Sequence, residues 1–359
     1  MLNSSLVPAR TRARFTALLL LIFVSLGLSG CKSLFGVKQT VNVPPLLTPL
    51  VEANTTQLIA EVNRAATVRS IRGKVDIQFQ DTSFAEAGLA DKYRTADGTL
   101  FLQRPGQIYL KIQAPFVGTN IAEMTSDGEH FRVAVLQGDE KYRRFVRGTN
   151  NAIYPRLAND VASPEQRGKN DKAMSEQRAR SALANLRPQH LTDALLIRPI
   201  TARTDSGLVY AQSEFYQEEM DTSKQTRGRT PGRVVRGYYL LDELAPGGAG
   251  GARLIRRFWF DRVGSIRLAR LQTFDNAGAL ITDVTYLEPK TFGEGGGVQM
   301  PSRIEITRPQ DRYKLGVTYQ APEAVTIDHE FPPDVFVLEN KWQLPEFDLD
   351  ARQSQTIKQ

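Results

Sequence analysis

GTLFLQRPGQIYLKI, residues 98–112, is the stretch on which the fold turns. Leu100 and Leu102 share one face, and Ile108, Leu110 and Ile112 alternate with Tyr109 and Lys111. Between the two runs stands Arg104-Pro105-Gly106, a turn signal. A period of two on both sides of a short turn predicts an antiparallel hairpin with one face in the core. Buried parallel strands would instead read as unbroken apolar runs.

The same pattern extends in both directions. GKVDIQFQ alternates Val75, Ile77 and Phe79 with polar residues, and HFRVAVL does so through Phe131, Val133 and Val135. Asp97-Gly98, Asp127-Gly128 and Gly138-Asp139 punctuate these runs. Further along come LVYAQSEFYQ, VVRGYYLLDE, RLIRRFWFD, SIRLARLQTFD, ALITDVTYLE, SRIEITRP, YKLGVTYQ and AVTIDHEF. About a dozen strands joined by short links predict a mainly β protein (α+β), and a sheet of that size has to curl into a barrel or half-barrel. The glycine clusters at 247–251 and 293–297 read as loops between strands.

Helical spacing appears in few places. Leu58, Ile59, Val62, Ala65 and Ala66 within residues 55–69 predict an amphipathic helix capped by Thr55 or Thr56. HLTDALL (190–196) predicts a second, short one. The polar stretch 156–190 reads as an insert with helical composition near SEQRARSALANL. Residues 31–54, with three prolines and no helical period, read as a flexible tether, and 341–359 as a polar tail.

The chain has one cysteine, Cys31, and its position is informative. Arg10, Arg12 and Arg14 precede the uncharged run FTALLLLIFVSLGL (15–28), which is followed by Ser29, Gly30 and Cys31. A basic start, a short apolar run and a small-residue junction describe an export signal over residues 1–30. At 14 residues the run is too short to span a bilayer. Leu28-Ser29-Gly30-Cys31 resembles the lipobox of bacterial lipoprotein precursors. That resemblance implies cleavage before Cys31, diacylglyceryl attachment to its sulfur and acylation of the new N-terminus. Three acyl chains anchor stably where one is marginal.

Without residues 1–30 the chain holds 43 basic and 39 acidic side chains, a net charge of +4 spread along its length. This suits contact with anionic headgroups and lacks the concentrated basic module of a nucleic-acid binder. No chemistry-bearing constellation emerges. His130, His190 and His329 are far apart, and no H-E-x-x-H, C-x-x-C, G-x-S-x-G or P-loop pattern occurs. Glu218-Glu219 reads as solvated, and Arg143-Arg144 and Arg256-Arg257 as the outer face of strands. No enzyme class, cofactor or metal is expected. What remains is one extensive apolar sheet face, which either encloses a cavity or is filled by its own side chains.

The order of elements resembles the LolA/LolB-like superfamily of outer-membrane lipoprotein-sorting proteins. The resemblance rests on RSIRGKVDIQF after a helix, GTLFLQRPGQIYLKI, MTSDGEHFRV, RLARLQTFDNAGALITDVTY and HEFPPDVFVLE, in that order, across residues 55–340. It implies a large curved antiparallel sheet with helices on its concave face, enclosing a cavity for the acyl chains of lipids or lipoproteins. Val75, Ile77, Phe79, Leu100, Leu102, Ile108, Leu110 and Ile112 are then the candidates to line it. LolB-like members also carry an apolar residue on a protruding loop, which here falls on Phe116 and Val117 of APFVG (114–118). The implied setting is the periplasmic face of the outer membrane, with lipid and a periplasmic carrier protein as partners. Lys32 follows the cysteine, and the family rule in enteric bacteria treats only Asp there as a retention signal, which points the same way. A scaffold or envelope-stress sensor of the same fold with a filled core is the alternative. If Cys31 is the attachment point, Cys31→Ala leaves an unprocessed precursor, read as the intact mass in the membrane fraction. Normal cleavage and acylation of the variant would overturn that assignment.

Overall fold

The computed structural model describes residues 43–82, 94–138, 140, 143–150, 152, 186–201, 207–221, 232–293 and 297–351. Cys31, the run 15–28 and most of the 156–190 insert lie outside them. The described residues from Leu46 onward belong to one compact unit.

That unit is mainly β, built on a single curved, open sheet of fifteen strands among the described residues. A first meander comprises β1 (Ser70–Asp81), β2 (Arg94–Gln103), β3 (Gln107–Gln113), β4 (Asn120–Asp127), β5 (His130–Val135) and β6 (Arg144–Thr149). A second comprises β7 (Val209–Met220), β8 (Arg233–Pro246), β9 (Ala252–Asp261), β10 (Arg267–Phe274), β11 (Leu280–Phe292), β12 (Val298–Arg308) and β13 (Tyr313–Tyr319). Antiparallel pairing of β1 with β13, from Val75↔Tyr319 to Asp81↔Tyr313, welds the two into one surface. The opening hairpin is in the expected register, with Leu100 opposite Leu110 and Leu102 opposite Ile108. Two short strands complete the sheet, β14 (Thr326–Ile327) beside β1 and β15 (Glu346–Asp348) beside β6.

Among the described residues, two helices lie on the concave face. α1 (Thr55–Ala65) covers β7 and β10, and α2 (Pro188–Leu195) covers β3 and β4. The α1 cap is Asn54, not a threonine: its side chain accepts from the Gln57 amide at 3.0 Å, and the Gln57 side chain accepts from the Asn54 amide at 2.9 Å. This reciprocal arrangement satisfies two donors that a helix start leaves orphaned. Leu58 and Val62 face the core, while Asn63 exchanges two hydrogen bonds with the backbone of Ile200. The helix is thereby tied to the segment that follows α2.

Three sequence expectations change at their edges. Part of the proposed tether belongs to the fold, because Leu46 and Leu50 form β-bridges to Val235 and Val263. Proline excludes helix but not an extended segment with apolar side chains to bury. Gly237 allows this approach, since a Cβ there would stand 3.1 Å from Leu50 and 3.2 Å from Tyr216. The end of the insert is also core: Leu186 is buried, and α2 begins at Pro188. The tail is the third. β15 pairs parallel with β6, and Leu344 packs with Ala134, Phe145, Leu338 and Trp342. One parallel pair makes the sheet mixed and covers the β6 edge that a purely antiparallel meander would leave open. Leu344→Ala should therefore cost about 2–5 kcal/mol in denaturant unfolding, whereas a side chain on a free tail would cost nothing measurable.

Candidate functional site

The sheet divides where β10 and β11 part. They pair from Phe274↔Leu280 to Arg270↔Thr285 and no further. Beyond that point β10 continues on β9, through Leu268↔Phe260 and Arg267↔Asp261, while β11 continues on β12 as far as Phe292↔Val298. Local chemistry explains the fork. Pro289 of β11 stands opposite Pro301 of β12, so neither can donate an amide to a ladder. Glu288 adopts a left-handed φ of 51°, and a bulge displaces Ala269 from the β9 register. Such irregularities bend a strand away from its neighbour.

Through this fork runs a cleft of about 900 Å³, bounded by α1, the end of α2 and strands β7 to β13. Its concave end is mostly apolar, with Ala65, Val68, Leu195, Leu268, Tyr286 and Ile304, beside the Glu61–Arg64 ion pair of α1. Period-two alternation sends the intervening residues to the convex end, where Tyr238 and Trp259 lie beside charged groups. There Asp261 accepts from Arg236 at 2.9 Å and from Arg267 at 2.8 Å, and Arg236 also reaches Glu219 at 3.1 Å. The Tyr238 hydroxyl donates to Glu219, and Arg270 pairs with Asp283 while lying over the Trp259 ring. Burial, together with Glu219, raises the Tyr238 pKa, which keeps that phenol protonated. Glu219 is thus an ion-pair and hydrogen-bond partner, not a merely solvated acid. Arg256 likewise points inward to Glu243, and only Arg257 of that pair faces out, to Asp242.

Arg104 of the opening turn helps hold the concave wall. Its guanidinium donates to the carbonyl of Val68 at 2.9 Å and to that of Ile197 at 2.9 Å. Both residues line the cleft.

The eight residues proposed to line a cavity lie elsewhere. Val75, Ile77, Phe79, Leu100, Leu102, Ile108, Leu110 and Ile112 are all buried in the main core. Val75, Ile77, Leu100, Leu110 and Ile112 surround only a void of about 10 Å³ beneath Leu186, Leu191 and Leu195. That is room for about one water molecule. α2 fills this half of the concave face, and the open volume has moved to the other half. Sequence periodicity could not distinguish the halves, because both alternate. The signal that could have located the cleft was a proline inside each of two otherwise regular strands.

Phe116 is placed at the tip of its loop and is fully exposed, with Val117 beside it at 76 %. Its φ of 67° is a left-handed conformation costing a non-glycine residue about 1–2 kcal/mol. The loop is nonetheless well held: the Gly118 amide donates to Ala114 at 3.1 Å, and the Gln113 side chain donates to Gly118 at 2.8 Å. An exposed aromatic ring on a braced, strained turn is not explained by packing.

The histidines are not assembled. His190 is a core residue hydrogen-bonded to the Tyr313 hydroxyl at 2.7 Å, and burial drives its pKa well below the ordinary value. No cluster of metal-ligating side chains occurs among the described residues, nor is any helix there long and apolar enough to cross a membrane.

No family model matches the chain, and no curated protein does. Among solved structures it is similar to a LolA superfamily protein from Nitrosomonas europaea, at 12 % identity and a TM-score of 0.37, covering 80 % of this chain and 99 % of that one. It is also similar to a DUF1329 family protein from Desulfovibrio piger, at 9 % identity and a TM-score of 0.36, covering 78 % and 95 %. A third likeness is to a structure described as an outer membrane lipoprotein-sorting protein domain from Vibrio parahaemolyticus, at 11 % identity and a TM-score of 0.36, covering 80 % and 97 %. At such values the function has to be read from the cleft itself.

Asp261 is the keystone of the convex end, since its buried carboxylate serves two arginines and the Val263 amide. Asp261→Ala should cost about 3 kcal/mol in thermal unfolding, as expected when a buried ion pair loses one partner. Asp242→Ala, at the more exposed Arg257 pair, should cost about 1 kcal/mol or less.

Proposed function

We propose that the chain is an envelope lipoprotein that binds acyl chains of lipids or lipoproteins in the cleft at the β10–β11 fork. The observation carrying this is a cavity of about 900 Å³ with an apolar interior and a charged rim. Its volume falls in the range of small-molecule sites, about 300–1,000 Å³. Burial contributes about 0.8 kcal/mol for each methylene removed from water. Binding and release need no bond to break, so the reading is of a carrier or receptor and not an enzyme.

Two sequence features support a membrane setting for that activity. The lipobox resemblance makes Cys31 the anchor, with Lys32 favouring the periplasmic face of the outer membrane. Phe116 and Val117 extend the reading to delivery, as exposed apolar groups that can enter a bilayer interface without refolding of the loop. The partners are then lipid or lipoprotein acyl chains, a membrane surface and a periplasmic carrier protein, in lipid or lipoprotein sorting to the outer membrane. The filled half of the concave face, with its void of about 10 Å³, favours instead a scaffold or stress sensor of the same fold.

Residues 32–359, which retain the whole described unit, separate these readings. Native mass spectrometry after incubation with lysophospholipid should show a one-to-one adduct removable by detergent, together with a change in Trp259 emission in a Trp342→Phe background. A consistently empty protein would sink the carrier reading. In transfer from loaded protein to vesicles, Phe116→Glu should slow delivery several-fold with loading unchanged; equal rates would remove the loop from the mechanism.

A further inference from the structure

Two buried polar atoms of cleft-lining residues have no hydrogen-bond partner: Nε of Arg267, whose guanidinium is already paired with Asp261 through Nη2, and the hydroxyl of Tyr319. Tyr319, the last residue of β13, is 2 % exposed and lines the cavity, and its hydroxyl has no hydrogen-bond partner. Its ring is fixed edge-on against Phe292, with centroids 5.0 Å apart. Other buried tyrosines of the sheet are served. Tyr286 donates to the carbonyl of Ala194 at 3.0 Å, Tyr313 meets His190 at 2.7 Å, Tyr238 reaches Glu219 and Tyr239 reaches Glu52. An orphaned buried hydroxyl forfeits about 1–3 kcal/mol of solvation, so a fold that could use phenylalanine here has a reason to use tyrosine.

Position narrows what the hydroxyl would bind. Tyr319 belongs to the main core cluster on the concave side of the sheet, whereas Arg236, Arg267 and Arg270 stand at the convex end. Arg64, which lines the cleft from α1, is already paired with Glu61 at 2.7 Å, so a charged headgroup set beside Tyr319 would meet one neutral donor, far too little to offset its desolvation. A single ester or amide carbonyl needs only one such donor. Burial also raises the Tyr319 pKa, which keeps the phenol protonated and able to donate.

Building on the acyl-chain reading above, we propose that the Tyr319 hydroxyl recognises the carbonyl of an ester- or amide-linked acyl chain. The ligand class is then acylated amphiphiles, and bare hydrocarbon or ether-linked chains are discriminated against. Tyr319 sets the depth to which the chain enters, because its carbonyl end is held at a defined point of the concave wall.

The test compares two probes of equal chain length on residues 32–359. One is 1-palmitoyl lysophosphatidylcholine, and the other is its 1-hexadecyl ether analogue, which lacks only the carbonyl. The wild type should bind the ester more tightly, by about 3- to 10-fold, as one neutral hydrogen bond allows. Tyr319→Phe should abolish that preference by weakening the ester alone, while the ligand-free variant melts at the same or a higher temperature because a buried orphan has been removed. Equal affinity of the wild type for both probes, or an unchanged preference in Tyr319→Phe, would overturn the proposal and leave acyl binding intact. Binding of neither probe would overturn the acyl-chain reading itself.

Discussion

Among the described residues, a fifteen-stranded sheet has one face to keep dry, and α1 and α2, of 11 and 8 residues, lie across it. That constraint governs the rest of the molecule. α2 is placed over β3 and β4, where its leucines close the space down to the size of one water. α1 is placed over β7 and β10, where the sheet itself opens. Among the described residues, the cleft is the part of that face which these two helices leave uncovered. Its persistence depends on the fork, because β10 and β11 would otherwise pair along their full length.

Polar groups in and around the cleft serve two different ends. At the convex end, acids and arginines neutralise one another across strands, with Asp261 shared between Arg236 and Arg267. Such pairs hold the fork's outer rim without demanding a ligand. On the concave side, Arg104 and Asn63 bind backbone carbonyls and an amide of the loops that form the wall. These bonds link the first hairpin and α1 to the same loop, so the wall is built from segments distant in sequence. Tyr319 is left outside both networks.

Much of the architecture was legible in the chain itself. The alternation in 98–112 and its repeats marked the strands, and Arg104-Pro105-Gly106 and Asp127-Gly128 marked where hairpins turn. Boundaries were less legible where polar composition misled. Trp342, Leu344, Phe347 and Leu349 are apolar residues scattered through a polar tail, and they pack as β15 joins the edge of the sheet. Leu46 and Leu50 were masked by neighbouring prolines. In each case the deciding contact is with a strand more than a hundred residues away, which no local window contains.

For the site, the division is sharper. By itself the sequence determined that one face of the sheet is apolar, that Phe116 sits in a short loop between strands, and that a lone cysteine follows a short uncharged run headed by arginines. Tertiary structure alone decided which part of that face is filled and which is open. Val75 and Ile112 have the same alternating pattern as Tyr286 and Ile304, but the first pair lies under α2 and the second beside the fork. Burial pattern reports only which way a side chain points. Whether it meets another side chain or a cavity depends on what the chain brings over it from elsewhere.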